Sequence, residues 1–360
     1  MKKLLLALAL LSSLSLEAQF VTTLAKNAGE SQSDGVMYYL PRNVIRLEFT
    51  IEETDYYIGP FAEFSIDMLG VKDYVRENKS EVNIKNVDIQ TVTEIDPNAA
   101  YIISQDDKSK EPLPEVILDA DGIILALGYD NISTGYQIER KSLKNNDLEA
   151  NERVEVSFIE IFDSEVELDD DDDDEEGHSA KKISKEDKAR VAVEMINNVR
   201  NAYFELISGA QEVAYGSTTK YMANNLKALE NEYISLFKGK IVKNTYKKVV
   251  YVTPENNQLN ASLSIGKLTN KGENVKIQFD SHISEQNINQ TGDEIKNSAQ
   301  INKVFYRIPF TTNVKIVSGN TIIAEKALII SQFGDIRAIS AKNSRVLFNP
   351  NTGQIIRLER

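Results

Sequence analysis

Six consecutive aspartates, Asp169–Asp174, are the residues whose types and spacing most suggest metal chemistry. Carboxylate oxygens are preferred ligands of Ca²⁺, so Asp169, Asp171 and Asp173 are the candidate ligands. An EF-hand loop that begins at Asp169 requires Gly at position 174 and Glu at position 180, where this chain has Asp and Ala. Like charges at this density repel one another and stay in water. We therefore interpret the run as a solvated loop that holds cations loosely, and predict no ordered metal site.

The chain has two histidines and no cysteine. This composition excludes disulfides, thiol nucleophiles and metal sites built from several histidines. His178 follows the acidic run and is interpreted as an exposed loop residue. His282 follows Ser281, but neighbours on a strand point to opposite faces and cannot act together as nucleophile and base. With no Gly-x-Ser-x-Gly motif either, the sequence assigns no catalytic residue and favours a protein without a catalytic centre.

Four tyrosines near the ends of the first long strand could form an aromatic binding surface. They occur as two adjacent pairs, and the chain has no tryptophan that would take this role instead. Tyrosine combines an apolar ring with a hydroxyl that forms hydrogen bonds at an interface. The alternative is that the four rings pack at the edge of the core. The candidate ligand-binding residues are therefore Tyr38, Tyr39, Tyr56 and Tyr57.

The net charge of −14 argues against binding to nucleic acid, because such a field repels the phosphate backbone. Glycine-rich motifs of nucleotide-binding loops are absent, so no cofactor is predicted. Two converging carboxylates could hydrolyse a glycan. No pair among the 55 acidic residues is singled out by its position. A carboxylate-dependent hydrolase acting on glycans or peptides is thus the alternative function.

The first 18 residues have the pattern of a secretory signal peptide. Lys2 and Lys3 precede a leucine-rich run, Leu4–Leu16, and the small residue Ala18 precedes Gln19. The apolar run is shorter than the about 20 residues that a membrane-spanning helix needs. The pattern predicts cleavage after Ala18 and export to the periplasm or the cell surface of a Gram-negative bacterium, with no integral membrane segment after cleavage.

Alternating apolar and polar residues predict an N-terminal β-rich domain over residues 19–163. Its first part, residues 19–35, is polar and is expected to form a flexible arm. A short helix is predicted over Phe61–Leu69, with Gly70 at its end. Asp121-Gly122 lies between two apolar runs and predicts a β-hairpin, because this dipeptide readily adopts a tight turn.

The remaining chain is expected to contain a linker, a pair of helices and a second β-rich domain. Residues 164–183 are interpreted as an acidic linker. Apolar residues at steps of three and four predict two helices that form a hairpin over residues 184–240. The first is expected to begin at Ser184, whose spacing to Asp187 suits an N-terminal cap, and to end at Gly209. The second is expected to run from about Thr219 to Phe237, with Gly239 at its end. Short strands separated by glycine-containing turns predict a sandwich-like domain over residues 241–360. The predicted fold class is therefore α+β.

Short motifs spread over the chain resemble those of a known family. In chain order they are Tyr39-Leu40-Pro41, Gly59-Pro60-Phe61, Met68-Leu69-Gly70, Glu94-Ile95-Asp96-Pro97, Leu229-Glu230, Gly239-Lys240, Tyr306-Arg307-Ile308-Pro309, Gln332-Phe333-Gly334 and Asn349-Pro350-Asn351-Thr352-Gly353. In this order they resemble a family of secreted Bacteroidetes proteins described only as a domain of unknown function. The resemblance covers nearly the whole chain after the signal and implies export and one shared architecture. It implies no activity and no catalytic residues, and the aspartate run lies outside its pattern.

These observations together predict an exported, non-catalytic binding or scaffold module of the cell envelope. Its expected partner is an envelope protein or a glycan, and the sequence does not identify which. A deep cleft with two inward-facing carboxylates would favour the hydrolase instead. An exposed tyrosine-lined face or an open sheet edge would favour the binding module.

Overall fold

The structure is a computed structural model of the chain. It describes residues 19–27, 35–106, 109–132, 156–159, 183–209, 216–280 and 299–360. The aspartate run with Asp169, Asp171 and Asp173 and the two histidines, His178 and His282, lie outside the described residues. What the sequence predicts for them therefore stays a prediction.

Within the described residues the protein is a mixed α+β structure in which strands predominate, as the sequence predicts. The strands are β1 (Phe20–Leu24), β2 (Val36–Tyr57), β3 (Lys79–Gln105), β4 (Val116–Leu118), β5 (Ile124–Leu127), β6 (Lys240–Val252), β7 (Ser262–Lys267), β8 (Asn274–Asp280), β9 (Gln300–Ile301), β10 (Lys303–Ser318), β11 (Thr321–Ser340), β12 (Arg345–Phe348) and β13 (Ile355–Glu359). The helices are α1 (Ser65–Leu69), α2 (Lys185–Ser208) and α3 (Thr219–Lys238). The strands form three sheets, with the orders β6-β2-β3-β1-β9, β11-β10-β8-β7 and β13-β12-β5-β4.

The described residues divide into two compact units. Unit 1 comprises those within 1–50, 84–148 and 247–360, and unit 2 those within 51–83 and 149–246. Both units are therefore built from separate stretches of the chain. The finer predictions, which are the domain boundaries, the helical hairpin and the C-terminal sandwich, stay predictions.

The core of unit 1 contains a stack of three aromatic rings. The ring of Tyr101 on β3 lies between Tyr38 of β2, at a centroid distance of 5.5 Å, and Phe305 of β10, at 4.3 Å. None of the three side chains is more than 1% exposed. Aromatic rings contribute large buried areas, so this stack is a principal part of the hydrophobic core.

Strand β1 contradicts the expectation of a flexible N-terminal arm. Phe20–Leu24 pair antiparallel with residues 101–105 of β3, and Val21 and Thr22 also pair with β9. The side chains of Phe20 and Leu24 are buried in the core. The expectation was wrong for these residues because the polar composition of residues 19–35 masked a five-residue strand that gains its stability from neighbours far along the chain.

The predicted Asp-Gly hairpin is confirmed by the antiparallel pairing of β4 with β5. The carboxylate Oδ1 of Asp119 accepts hydrogen bonds of 2.9 Å from the backbone N–H groups of Asp121 and Ile123. Gly122 adopts a φ of 89°, which a side chain disfavours. The local sequence alone therefore determines this turn.

In unit 2, the short helix predicted over Phe61–Leu69 is only partly helical in the α sense. Ala62–Phe64 form a 3₁₀ turn, and α1 begins at Ser65. The Ser65 hydroxyl donates to the carbonyls of Ala62 and Phe237, at 2.6 and 2.7 Å. Gly70 ends the helix at a φ of 67°, as predicted.

Helices α2 and α3 have the ends that the sequence predicts. The Ser184 hydroxyl accepts a hydrogen bond from the Asp187 backbone N–H at 3.1 Å, so it caps α2. Gly209 follows the helix with a φ of 70°. The buried residues of both helices pack together with Phe61 in the core of unit 2.

An ion pair joins α2 to α3 and makes a pH-dependent contribution to stability. The Arg200 guanidinium Nε lies 2.7 Å from Glu230 Oε1, and this contact lowers the pKa of Glu230. A carboxyl group whose pKa is lower in the folded state stabilises the fold above its unfolded pKa, and this contribution is lost as the pH falls through the folded pKa. We expect Glu230→Gln to cost less than about 1 kcal/mol at neutral pH and nothing in acid, measured by urea unfolding from neutral pH down to about pH 3.

Glu205→Gln, on the exposed end of α2, is the control for removing an acidic residue from the same helix pair. Its effect should not follow the same acidic transition. If the two variants lose stability with the same pH profile, the Arg200–Glu230 pair does not cause the dependence.

Candidate functional site

The structure places the four candidate tyrosines in different environments. Tyr38 is fully buried, and its hydroxyl accepts a hydrogen bond of 3.0 Å from the Phe305 backbone N–H. Burial raises the pKa of this hydroxyl well above its usual value. Tyr38 is a core residue of unit 1 and offers no surface to a ligand.

Tyr39 lies beside the β4–β5 turn, where its backbone N–H donates to the Gly122 carbonyl at 2.9 Å. A Cβ at Gly122 would lie 3.1 Å from the Tyr39 ring, so the ring can pack this closely against the turn because position 122 has no side chain. Its hydroxyl contacts the sulfur of Met37 at 3.8 Å. Tyr39 is thus half-buried against a turn, and it shares no binding surface with Tyr38 because neighbours on a strand alternate between faces.

Tyr56 lies in unit 2 at the end of β2, in contact with two charged residues. Its hydroxyl donates to Glu81 Oε2 at 3.1 Å, and the Lys79 ammonium lies 4.7 Å from the centre of its ring. Lys79 also lies 2.7 Å from Glu81 Oε1. These contacts lower the pKa of Glu81 and raise those of Lys79 and Tyr56. Tyr57 is half-buried.

Tyr56 borders a surface groove of about 340 Å³, which we call the unit 2 groove. It is lined by Tyr56, Asp73, Tyr74, Val75, Arg76, Glu77, Lys79, Lys238, Gly239 and Ile241. Tyr56 lies at the end of β2, and Tyr74 and Arg76 lie in the loop between α1 and β3. Of the lysines, Lys79 begins β3 and Lys238 ends α3. Its floor comes from the junction of α3 with β6.

Backbone contacts fix the loop that forms one wall of the groove. The Val75 N–H donates to the Lys238 carbonyl at 2.9 Å, and the Ile58 N–H donates to Asn78 Oδ1 at 2.7 Å. Gly239 lies under this loop with a φ of 82°, and a Cβ there would overlap the Tyr57 carbonyl oxygen and the Val75 side chain. The close approach of α3 to the loop therefore requires glycine at this position.

The cations of the groove differ in how they are paired. Lys79 pairs with Glu81, and Lys238 lies 3.9 Å from the fully exposed Asp73. The Arg76 guanidinium lies 5.5 Å from the centre of the Tyr74 ring, and no ion pair of Arg76 is seen within the described residues. A guanidinium presents several donors in a planar fork that matches a carboxylate. Arg76 is thus the group best placed to bind an anion.

The sequence predictions found only one side of this groove. Tyr56 was a candidate, whereas Tyr74, Arg76 and Ile241 were not. Tyr74 and Arg76 occupy a polar loop with no periodic pattern, where an aromatic residue has no core to join. An aromatic next to cations in such a loop is the signal that could have identified them.

A second pocket, of about 350 Å³, is also lined by unit 2 residues. Its cation, Lys240, lies 2.5 Å from Glu232 and donates to the Ser157 carbonyl at 2.9 Å. The same ammonium lies 5.3 Å from the centre of the Phe158 ring. Because these contacts already use the Lys240 charge, this pocket is a weaker candidate than the unit 2 groove.

In unit 1, several of the short motifs meet in one buried polar cluster, which we call the motif network. Its members are Asn43, Asp96, Arg307, Ser331, Gln332 and Asn351. All except Asn351 are less than 9% exposed. Buried polar groups at this density are tolerated only when they bond to one another.

The Gln332 side chain pairs with the backbone of Asn43 in the way that a neighbouring strand does, and the Asn43 side chain bonds to the backbone of Ser331. Gln332 Oε1 accepts from the Asn43 N–H at 2.9 Å, and Gln332 Nε2 donates to the Asn43 carbonyl at 2.7 Å. In return, Asn43 Oδ1 accepts from the Ser331 N–H at 2.7 Å. The network thus replaces a β-ladder where the regular pairing is interrupted.

The interruption is a bulge in β11. Ile308 pairs with Asp335 and Phe310 with Ile330, so the four residues Ser331–Gly334 lie opposite Pro309 alone. Proline has no N–H to donate to a ladder. A Cβ at Gly334 would overlap the Ile308 carbonyl oxygen, so only glycine fits there.

The charged part of the network is an ion pair between Arg307 and Asp96. The guanidinium bonds to Asp96 Oδ2, and its other terminal nitrogen donates to the Ser331 carbonyl at 3.2 Å. The Arg307 side chain is 1% exposed. Burial lowers the pKa of this guanidinium, and Asp96 beside it opposes that effect. Because the pair does not reach solvent, it positions the chain and offers no surface to a ligand.

The described residues contain no cluster of three or more His, Cys, Asp or Glu side chains that could bind a metal ion. The same part of the chain has no helix that is long and apolar enough to cross a lipid bilayer.

Comparison with known proteins yields one kind of match. A family model described as "Domain of unknown function (DUF4831)" matches residues 34–356. No curated protein and no solved structure matches the chain. The proposals that follow therefore depend on the residues of this chain.

Proposed function

The chain belongs to the DUF4831 family, and we propose that it is an exported, non-catalytic binding protein of the cell envelope. We propose that its ligand is a glycan that carries carboxylate groups, and that this glycan binds in the unit 2 groove. The observation that carries the proposal is the pairing of two tyrosine rings with an arginine that has no ion-pair partner within the described residues.

The groove has the combination of surfaces that an acidic sugar requires. Tyr56 and Tyr74 offer ring surface, and Val75 and Ile241 offer apolar surface, on which the C–H groups of a sugar ring can pack. Ile241 is 54% exposed, so its side chain is accessible to a ligand. Arg76 supplies the charge that a carboxylate would pair with.

The positive groups of the groove also contrast with the rest of the chain. Three cations and two carboxylates, those of Asp73 and Glu77, line the groove in a protein whose net charge is −14. Positive charge is in excess among the lining residues, and this excess attracts an acidic ligand. A protein partner is less well supported, because the groove is smaller than an ordinary protein interface.

We propose that export depends on the signal peptide predicted over residues 1–18. The lysine pair, the leucine-rich run and the small residue before Gln19 support it, and so does the resemblance to secreted Bacteroidetes proteins. The periplasm and the cell surface are both compatible with a glycan ligand. The alternative function, a carboxylate-dependent hydrolase, would act on the same class of ligand.

Binding to acidic and neutral glycans, measured by calorimetry on the full chain, tests the groove. We expect Arg76→Gln to weaken the affinity for an acidic glycan by about tenfold to a hundredfold, because it removes a charge-assisted hydrogen bond. Tyr74→Ala should weaken it by about tenfold through the loss of ring contact. Neutral glycans of the same length should bind more weakly than the acidic ones.

Lys220→Gln and Tyr221→Ala are matched controls, since both residues are exposed on α3 of the same unit and lie outside the groove. They should leave the affinity unchanged. Equal losses in the control and groove variants would contradict the groove as the binding site. Shortened glycan products in the same samples would show that the ligand is hydrolysed, and would support the hydrolase against the non-catalytic binding protein.

A further inference from the structure

The backbone just after the predicted cleavage point is bound by one side chain, that of Asn302. Its Oδ1 atom accepts hydrogen bonds from the N–H groups of Gln19, at 2.7 Å, and Phe20, at 3.1 Å. The Asn302 N–H donates to the Phe20 carbonyl at 2.9 Å. Asn302 thus bonds both to Gln19, which precedes β1, and to Phe20, which begins it.

Asn302 adopts a conformation that is uncommon for a residue with a side chain. Its φ is 50°, in the left-handed region, where asparagine is tolerated better than most residues. It is 7% exposed, and its carbonyl accepts from the Ala341 N–H at 2.8 Å. The buried side chain of this asparagine, between β9 and β10, is used for the two bonds to the backbone of Gln19 and Phe20.

The side chain of Gln19 is also held, but its acceptor is not satisfied. Gln19 Nε2 donates to the Pro112 carbonyl at 3.3 Å, and the Gln19 carbonyl accepts from the Asp106 N–H at 3.5 Å. Gln19 Oε1 is buried and accepts no hydrogen bond from the described residues. A buried acceptor without a donor is unfavourable, so a further donor at this residue would be accommodated.

Cleavage of the signal peptide would add N–H donors at this residue. Hydrolysis by a signal peptidase breaks the bond between the carbonyl carbon of Ala18 and the nitrogen of Gln19. The oxygen of water joins the new carboxylate of Ala18, and the freed amine takes up protons to become an ammonium. This ammonium has two N–H donors more than the peptide nitrogen and a positive charge beside Asn302 Oδ1.

The position of the bond also sets an order of events. A peptidase binds its substrate as an extended segment on both sides of the bond that it cleaves. Phe20 is fully buried and pairs with β3, so once β1 is in the sheet the segment after the bond is no longer accessible. Cleavage must therefore come before β1 is inserted.

We propose that Asn302, Pro112 and Asp106 form a socket for the amino terminus released by cleavage after Ala18, and that β1 enters the sheet after this cleavage. The inference rests on the proposed export. It makes Gln19 a structural part of the mature protein, and Asn302 the residue that recognises the processed chain end.

The test uses the full chain with its signal, expressed in a Gram-negative host, and combines mass measurement with hydrogen exchange. The exported protein should begin at Gln19, and the amides of Phe20–Leu24 should be protected. Asn302→Gly keeps the backbone conformation and removes the amide, so these amides should exchange about tenfold faster or more. Asn302→Asp restores the acceptor and should recover the protection.

Asn343→Gly is the matched control, because Asn343 has a φ of 53° but is exposed and makes no bond to β1 among those of the described residues. It should leave the exchange of the β1 amides unchanged. A second variant, Ala18→Leu, places a large residue before the bond and blocks cleavage. Its Gln19 nitrogen keeps a single proton, so its β1 amides should exchange faster than those of the processed chain.

The outcomes separate the socket from the proposed export. A chain that begins at Gln19 and shows equal exchange in Asn302→Gly and Asn343→Gly overturns the socket and leaves export standing. Equal protection of the β1 amides in the uncleaved Ala18→Leu chain and in the processed chain overturns the role of the released amino terminus. Cleavage of a precursor whose β1 amides are already protected overturns the order of events. A chain that keeps Met1 in the wild type overturns export, and the socket with it.

Discussion

Replacing Asp96 by alanine should lower the free energy of unfolding by about 3–5 kcal/mol. The substitution leaves the Arg307 guanidinium buried without its carboxylate, and a charge in that position is far less stable than in water. Arg307 is 1% exposed, so solvent cannot replace the lost partner unless the network opens. Chemical denaturation of the purified protein, followed by far-UV circular dichroism, measures the change.

The nearby pair Arg42–Glu94 is the matched control, because its side chains are 30% and 24% exposed. Glu94→Ala should cost no more than about 1 kcal/mol, since water solvates the remaining arginine. The double variant Asp96→Leu with Arg307→Met removes both charges and should recover most of the stability. A small effect of Asp96→Ala, equal to that of Glu94→Ala, would mean that the pair is not buried in solution.

Gly334→Ala should lower the free energy of unfolding by about 4 kcal/mol or more. The added Cβ overlaps the Ile308 carbonyl oxygen in the β11 bulge, and a backbone atom cannot move aside as the end of a side chain can. Relief requires a shift of Ser331 and Gln332, which breaks their bonds to Asn43. Thermal and chemical unfolding of the variant measure the loss.

Gly266→Ala separates the lack of space from the backbone conformation. Gly266 has a φ of 91° but open space around its Cα, so alanine there should cost only about 1–2 kcal/mol. If the two variants are equally stable, the bulge adapts to a Cβ and the clash does not explain why glycine occupies position 334.

The sequence predicts those parts of the fold that depend on neighbouring residues. The Asp121-Gly122 turn, the Ser184 cap and the glycines that end α1 and α2 each follow from a few adjacent residues, and they are confirmed. The strand β1 was missed because its stability comes from β3 and β9, which lie far along the chain. A short polar segment shows no sign of such partners.

The candidate site was predicted only in part, for a related reason. Tyr56 was identified from its type, whereas Tyr38, chosen on the same grounds, is a core residue. Period-two alternation could have separated Tyr38 from Tyr39, but not decided which of them faces the core. Tyr74 and Arg76 line the groove because their loop is bonded to the end of α3. No pattern in the neighbouring residues predicts that contact.

The motifs had a use that the sequence could not reveal. Arg307, Gln332 and Gly334 belong to short motifs that supported a family resemblance, and a conserved activity is the first idea that such motifs raise. The structure instead places them in a buried network and a bulge. These residues hold segments of the chain in position by hydrogen bonds, an ion pair and close packing.

The bonds between Asn43 and Gln332 join residues that lie 289 positions apart. At a synthesis rate of about 5–20 residues per second, roughly 15–60 s pass between the appearance of one partner and the other at the ribosome. Throughout that interval the backbone N–H and carbonyl of Asn43 lack their native partner, and unpaired strand groups of this kind promote aggregation. The nascent polypeptide should therefore depend on a chaperone until its final third has been made.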